Sequence, residues 1–273
     1  MDPRYLTGNY HTHTSRCSHA DGLDEAYVLT AIDMGLKTLA FTDHVMLEGV
    51  DNPRTRGDFS KHPSYVSSVL SLKEKYEGRI AIHLGYECEA FETRFGYYRN
   101  LLTKQGFDFL LLGNHAYLQD DKEVKFYFRN PVDDDRLLRY CESMIVGMET
   151  GLFSAVAHPD YYMDRFPIWN DLTESVGERI IDAAVRLDIP LEFNLSCFRR
   201  GKKRYPDCVR YGYPVAQFWE MAKQKGAKTI VGIDAHHPED LRYDYRDAWG
   251  MLERLHIEPI LKLPFRDKTK IRV

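Results

Sequence analysis

The sequence predicts an α/β protein built on a parallel, barrel-like sheet, and three observations predict it. Short apolar runs and stretches of helical periodicity alternate seven times along 273 residues, a pattern that calls for a parallel sheet closed or nearly closed by right-handed crossovers. The runs are apolar throughout rather than alternating, as in strands buried on both faces. Nearly every run also ends in His, Asp or Glu, at the strand end where barrel enzymes carry their chemistry.

The first extended segment is Asn9-Tyr10-His11-Thr12-His13. Two histidines two apart on an extended chain share a face, so both can reach one ion. His19 follows in a turn-like loop, and Asp24 to Met34 reads as a helix ended by Gly35. The second strand, Lys37 to His44, closes on Thr42-Asp43-His44, and a polar loop from Val45 to Pro63 follows with Arg54, Arg56 and His62. That loop belongs on the ligand face if the sheet is a barrel. After a helix from Tyr65 to Tyr76, the third strand runs from Ile80 to Glu87. Glu87 is preferred to Glu89 as the ligand because it ends the run cleanly, and a carboxylate there can bridge two cations. His83, inside the strand, reads as a hydrogen-bonded core or barrel residue.

The fourth strand, Phe107 to His115, again ends in histidine, before a long decorated loop over 119–135 and a helix at about Arg136 to Glu149. Ser154 to Asp160 forms a short fifth strand with His158, and Arg165 comes a few residues later on the same face. A helix near Glu174 to Leu187 leads to the sixth strand, Ile189 to Asn194. The loop behind it carries Arg199-Arg200-Gly201-Lys202-Lys203-Arg204, a dense basic patch suited to an anion if it lies over a metal site. Ala216 to Lys225 is helical, the last strand runs from Thr229 into Asp234-Ala235-His236, and a helix from Asp247 to Leu255 precedes a basic tail.

The ligand candidates are therefore His11, His13, His19, His44, Glu87, His115, His158, Asp234 and His236. Nine donors are too many for one tetrahedral ion and suit two or three. Imidazole and carboxylate without thiolate favour catalytic zinc, manganese or iron over a structural Cys-based zinc. Cys17, between two ligand segments, reads as a bystander.

Composition sets the limits. The chain is 44% hydrophobic and 29% charged, which supports a large core and argues against disorder. A net charge of −4 gives no reason to expect nucleic acid or an anionic membrane as partner. No apolar run approaches membrane-span length, and the start, Met1-Asp2-Pro3-Arg4, lacks a signal pattern. Five scattered cysteines favour free thiols in a reducing compartment, hence a cytoplasmic protein. No linker or repeat divides residues 1–273, so one domain is expected; oligomeric state is not readable.

The ordered motifs H-T-H, a further His six residues on, T-D-H, G-Y-E, G-N-H, A-H-P-D and I-D-A-H resemble the PHP (polymerase and histidinol phosphatase) superfamily over essentially the whole chain. Glu192 to Gly201 and Asp234 to Leu241 look like its monofunctional histidinol-phosphate phosphatases. The resemblance implies a distorted seven-stranded (β/α)7 TIM-like barrel with a trinuclear centre. His11, His13, Glu87 and Asp234 would hold one ion, Glu87 would bridge to a second with His115 and His158, and His19, His44 and His236 would hold a third. Arg165 and Arg199 match the phosphate-gripping positions, His44 and His236 would also face substrate, and Asp234, His236 and the two arginines form the catalytic set. Asn114 and Cys197 depart from the family's commoner serine and glycine, both beside the expected pocket.

The expected activity is hydrolysis of a phosphate monoester, L-histidinol phosphate first, by hydroxide generated on a metal at neutral pH. Another phosphorylated substrate (phosphotyrosine protein, nucleotide or nucleic-acid ends) is the alternative within the class. A non-catalytic, metal-stabilised binding module is the alternative outside it. A nuclease would want a broad basic surface, and an amidohydrolase usually has lysine where this chain has His115.

Overall fold

The computed structural model describes residues 2–50, 55–129, 133–206 and 208–273. Arg54 lies outside them. Seven strands form one parallel sheet in sequence order: β1 (Gly8–Asn9), β2 (Thr38–Phe41), β3 (Ala81–Cys88), β4 (Phe109–Leu112), β5 (Ala155–Val156), β6 (Leu191–Asn194) and β7 (Thr229–Gly232). Such an order arises when each crossover has the same hand and places the next strand beside the last. The two ends of the sheet meet beyond β1 and β7. There the Ala235 N–H donates to the His11 carbonyl (3.2 Å), and the His13 N–H donates to the Ala235 carbonyl (2.8 Å). The result is a nearly closed barrel whose seam sets Thr12, between His11 and His13, opposite Ala235, between Asp234 and His236.

Asn9 secures that seam. Its amide donates to the His11 carbonyl and the Thr12 hydroxyl, both at 2.8 Å, and its carbonyl oxygen accepts from the Ile233 N–H at 2.8 Å. The residue is wholly buried, so each of these groups would otherwise be left unpaired.

The helices on the outside are α1 (Asp24–Asp33), α2 (His62–Lys75), α3 (Phe95–Lys104), α4 (Asp134–Glu149), α5 (Asp171–Arg186), α7 (Ala216–Gln224) and α8 (Arg246–Arg254), while the short α6 (Ser196–Arg200) lies at the ligand end of the barrel. Helix α5 starts earlier than its apolar periodicity suggests, because Asn170 and Thr173 cap each other's backbone. Helix α3 was not expected: Gly96 near its start and its aromatic content mask the helical period, yet Phe95, Tyr98, Leu101 and Leu102 are buried on one face. The expected loop over 119–135 is in part a hairpin, Ala116–Gln119 against Glu123–Phe126. The stretch after β6, expected as a loop, begins with α6 and continues into a small hairpin, Lys203–Arg204 with Val209–Arg210.

Two apolar clusters result. The larger fills the space between strands and helices. The smaller, with Tyr10, Ala40, Phe109, Leu111, Ala155 and Ile230, fills the barrel toward the amino ends of the strands. The tail after α8 plugs that end. Ile260 bridges to Ile230, Leu263 is buried, and Phe265 stacks on Phe109 with centroids 4.8 Å apart. His83 lies against Phe265 edge-on at 4.8 Å, on the far side from the expected ligands.

Candidate metal centre

All nine expected ligands converge at the carboxyl end of the barrel. The regular strands stop short of them: β7 ends at Gly232 and Asp234 takes a left-handed φ of 54°, while His158 takes 31°. Left-handed backbone at residues other than glycine costs energy and persists where the surroundings demand it. Here it turns side chains at the strand exits toward one point.

Glu87 is the hub. Its Oε2 lies 3.0 Å from His44 Nδ1 and 3.5 Å from both His11 Nε2 and His13 Nε2. Its Oε1 lies 2.9 Å from His158 Nε2 and 3.7 Å from His115 Nε2. One carboxylate thus presents an oxygen to each of two histidine groups. Room for it comes from Gly113, where a Cβ would stand 1.9 Å from Glu87 Oε1. Asp234 Oδ1 faces His13 Nε2 at 3.3 Å and His11 Nε2 at 3.6 Å. At the mouth, His236 Nε2 meets His19 Nε2 at 2.9 Å.

The electrostatics follow from this crowding. Burial would raise the Glu87 carboxyl, but the His44, His11 and His115 rings outweigh it and hold it well below the carboxylate range. Burial likewise opposes ionisation of Asp234, which His11, His13 and His236 hold well below normal. Burial would lower His11 and His13, but Glu192, Asp234 and Glu87 hold His11 well above its usual value, and Asp234 with Cys17 brings His13 up to about 10. Burial and the neighbouring rings push His236 well below normal.

The residues fit metal ions. Imidazole nitrogens face each other at 3.1 Å (His11 and His13) and 2.9 Å (His19 and His236), separations at which one ion satisfies both. Three-donor groups, His11–His13–Asp234, His11–Glu87–His158 and His13–His44–Glu87, each draw their donor atoms within 4.8 Å of one another. The buried Nδ1 atoms of His13 and His115 have no hydrogen-bond partner among the described residues. Neutral imidazole and carboxylate are donors for first-row divalent ions.

Several supporting residues escaped the sequence reading. Glu192, inside β6, accepts from His11 Nδ1 at 2.9 Å, from the His158 N–H (3.1 Å) and from the Asn194 amide (2.8 Å). A carboxylate behind a ligating imidazole fixes its tautomer and orientation. Nothing in a four-residue apolar strand marks it except an acid in a buried run. Gly232 makes its space, since a Cβ there would stand 1.8 Å from Glu192 Oε1. Asp43, the middle residue of T-D-H, accepts from the Thr14 N–H (2.5 Å) and hydroxyl (2.6 Å) and so pins the chain after His13. Cys17, expected as a bystander, has its sulfur within 4.8 Å of donors on His13 and His236. Burial would raise its thiol, but His13 and His19 bring it down to about 6.

Glu89 lies beside the ligands, paired at 2.8 Å with the wholly buried Arg56 and 3.7 Å from His115 Nδ1. Arg56 therefore comes to the ligand face. His62 does not: it sits between the Tyr86 hydroxyl (2.9 Å) and Gln105 (3.0 Å) on the outer side of β3. Asn114 accepts from the Ala90 N–H and Cys197 is buried against Gly212, so neither lines the cavity.

Above the ligands is a cavity of about 650 Å³, lined by His13, His19, His44, His115, His158 and His236 on its floor and by Arg165, Arg199 and Arg200 on one side. Arg199 lines this cavity as expected for a substrate group, and most of its donors are also engaged within the chain. Its Nη1 donates to the Ile233 carbonyl (2.8 Å) and the Tyr245 hydroxyl (2.6 Å), Nη2 to the Asp234 carbonyl (2.7 Å), and Nε pairs with Asp240 at 3.2 Å. Its contacts to the Ile233 and Asp234 carbonyls hold the turn that carries Asp234, and one of its five N–H donors stays uncommitted. Arg200 engages only Nη2, with Ser196 and Tyr213, and the Arg165 guanidinium has no hydrogen-bond partner among the described residues.

No helix among the described residues is long and apolar enough to cross a membrane. The family model for the PHP domain matches residues 9–196, well over half of the chain. The chain is 24% identical over 247 residues to a probable histidinol-phosphatase of Deinococcus radiodurans, covering 87% of this chain and 89% of that protein. It is 26% identical to a probable phosphatase of Shewanella amazonensis, over 85% and 77% of the two chains. Among solved structures it resembles the histidinol phosphate phosphatase of Lactococcus lactis, determined with zinc, L-histidinol and phosphate. The TM-score is 0.71 at 17% identity, over 98% of this chain and 99% of that one. The seven-stranded barrel, its ligand-bearing exits and the match of the family model together show that this chain belongs to the PHP domain family.

Proposed function

We propose that the protein is a metal-dependent phosphomonoesterase acting on L-histidinol phosphate, with two or three divalent ions, zinc, manganese or iron, as cofactor. The observation that carries the reading is Glu87, whose two oxygens face two histidine groups beneath a cavity with uncommitted arginine donors on its wall. The names of the relatives in D. radiodurans and L. lactis support the substrate.

His11, His13, Glu87 and Asp234 would hold one ion, His115 and His158 with Glu87 a second, and His19, His44 and His236 a third. When bound, such ions neutralise phosphoryl charge and activate water at neutral pH. The chain's own groups do the rest. Arg165 and Arg200 receive the phosphoryl oxygens through charge-assisted hydrogen bonds. Arg199 holds the Asp234 turn in place, and Glu192 fixes the His11 ring. His236 and His44, which line the cavity, border the bound ester.

The test is phosphate release from L-histidinol phosphate, phosphotyrosine and a mononucleotide after reconstitution with manganese, zinc or iron. Preferred turnover of histidinol phosphate, abolished by chelation, is expected. Equal, weak turnover of all three would defeat the substrate assignment while leaving the metal chemistry standing.

A further inference from the structure

Arg165 brings its guanidinium to the cavity without a hydrogen bond of its own among the described residues. A long side chain with no partner stands where its backbone puts it. That backbone is a single 3-10 turn, Tyr161–Asp164, which ends at Arg165. Groups carried on such a connection are placed with precision only when neighbouring residues lock it.

The locks come from the small hairpin, Lys203–Arg204 with Val209–Arg210, and the chain after it. Arg210 carries most of them. Its Nη2 donates to the Met163 and Pro167 carbonyls, both at 2.9 Å, two residues before and two residues after Arg165. Its Nη1 donates to the Tyr211 and Gly212 carbonyls, both at 2.8 Å, and its guanidinium lies 4.2 Å over the Tyr205 ring. One planar fork thus ties the chain on both sides of Arg165 to the hairpin, which the point charge of a lysine cannot do. Lys203, opposite Arg210 in the hairpin, reaches the same loop. Its Nζ and the Tyr205 hydroxyl donate to Asp164 Oδ1 at 2.7 Å and 2.6 Å. Gly212 leaves room for that carboxylate, since a Cβ there would stand 2.5 Å from the same oxygen.

The segment held by Arg210 runs on to Tyr213, which touches both cavity arginines' surroundings. Its hydroxyl accepts from Arg200 Nη2 at 3.1 Å, and its ring stands edge-on to Tyr161 at 5.8 Å. Arg210 does not line the cavity. Its donors are committed to carbonyls, so its influence on a bound anion runs through the backbone.

We propose that Arg210 is the positioning residue for Arg165: it locks the loop that presents the Arg165 guanidinium to the phosphoryl group, and touches no substrate itself. The proposal rests on the phosphatase reading, in which Arg165 receives phosphoryl oxygens, and extends it to a residue outside the cavity. A charged group contributes fully to a bound anion only when it is held in place beforehand, because otherwise binding must order it.

The experiment measures binding of inorganic phosphate to the metal-loaded full chain by calorimetry, with metal content and Tm recorded for each protein. The proteins are wild type, Arg165→Ala, Arg210→Ala, Arg210→Lys and the double variant Arg165→Ala/Arg210→Ala. Arg165→Ala is expected to weaken phosphate on the order of tenfold, as for loss of one charge-assisted hydrogen bond. Arg210→Ala should weaken it nearly as much at unchanged metal content, and the double variant no more than Arg165→Ala alone. Arg210→Lys keeps the charge and loses the fork, so it should follow Arg210→Ala; it also carries the test if the alanine variant does not fold. Additive losses in the double variant, or wild-type phosphate affinity in Arg210→Lys, would overturn the proposal. So would a lower Tm in Arg210→Ala with phosphate affinity intact, no loss in Arg165→Ala, or no phosphate binding by wild type. Failure of the phosphatase reading registers separately, as metal-loaded protein that binds phosphate and hydrolyses no phosphate ester.

Discussion

Arg199 lines the cavity yet is tied into the chain by most of its donors. Its guanidinium joins the carbonyls of Ile233 and Asp234 to Asp240 and Tyr245. Arg199→Ala is therefore expected to lower metal content along with activity, and to destabilise the fold by about 1–3 kcal/mol through the partners left unpaired. Arg200→Ala should leave metal content intact and raise KM for the ester. Elemental analysis of both variants separates them, and full metal loading of Arg199→Ala would restore it as a substrate group. Glu192→Gln should weaken metal binding about 10- to 100-fold by loosening His11. Protons give a further check. Although burial opposes it, Glu192, Asp234 and Glu87 raise the His11 ring in the metal-free protein, and Asp234 with Cys17 brings His13 up to about 10. Metal takes only neutral imidazole, so binding should release protons and tighten as pH rises toward that value. Calorimetry in buffers of different ionisation enthalpy reads the number released; none released would contradict the assigned charge states. The sign is opposite for the metal-free fold. A histidine raised to about 10 stabilises it fully below the unfolded value and loses that contribution as pH rises through 10.

At the scale of elements, two glycines decide whether the strands can bring their carboxylates together. Gly113→Ala would place a methyl 1.9 Å from Glu87, and Gly232→Ala one 1.8 Å from Glu192. Both are expected to lose metal before they lose the barrel, so circular dichroism should stay near wild type while metal content falls. Collapse of the fold in both would show that these glycines serve packing alone. The sequence already contained the strand order and the convergence of the histidines, because an apolar run ending in a ligand type is a local pattern. It did not reveal Glu192 or Asn9, whose roles depend on what lies across the barrel seam. Helix α3 and the Ala116–Phe126 hairpin were hidden by aromatic residues that suit either structure and are fixed by tertiary contacts. The partners of Arg199 were hidden for the same reason: a basic run states charge, whereas those partners come from residues 34 to 46 positions away.

For the whole molecule, the barrel divides into a catalytic end and a sealed end. Phe265, on the tail after α8, closes the sealed end against Phe109, Tyr10 and His83. Phe265→Ala should cost about 2–3 kcal/mol, less than for a fully buried ring, with a lower Tm and unchanged metal content. Loss of metal in that variant would mean that the two ends are coupled through the strands. The central claim is that the ligand cluster makes this barrel a hydrolase of phosphate monoesters. Its most direct test is phosphate release from L-histidinol phosphate, followed as metal is added back stepwise to chelated protein, with bound ions counted at each step. Activity should be absent without metal, appear as two to three ions bind, and vanish again on chelation. Full activity in the chelated protein, or a full complement of ions with no hydrolysis of any phosphate ester, would contradict it.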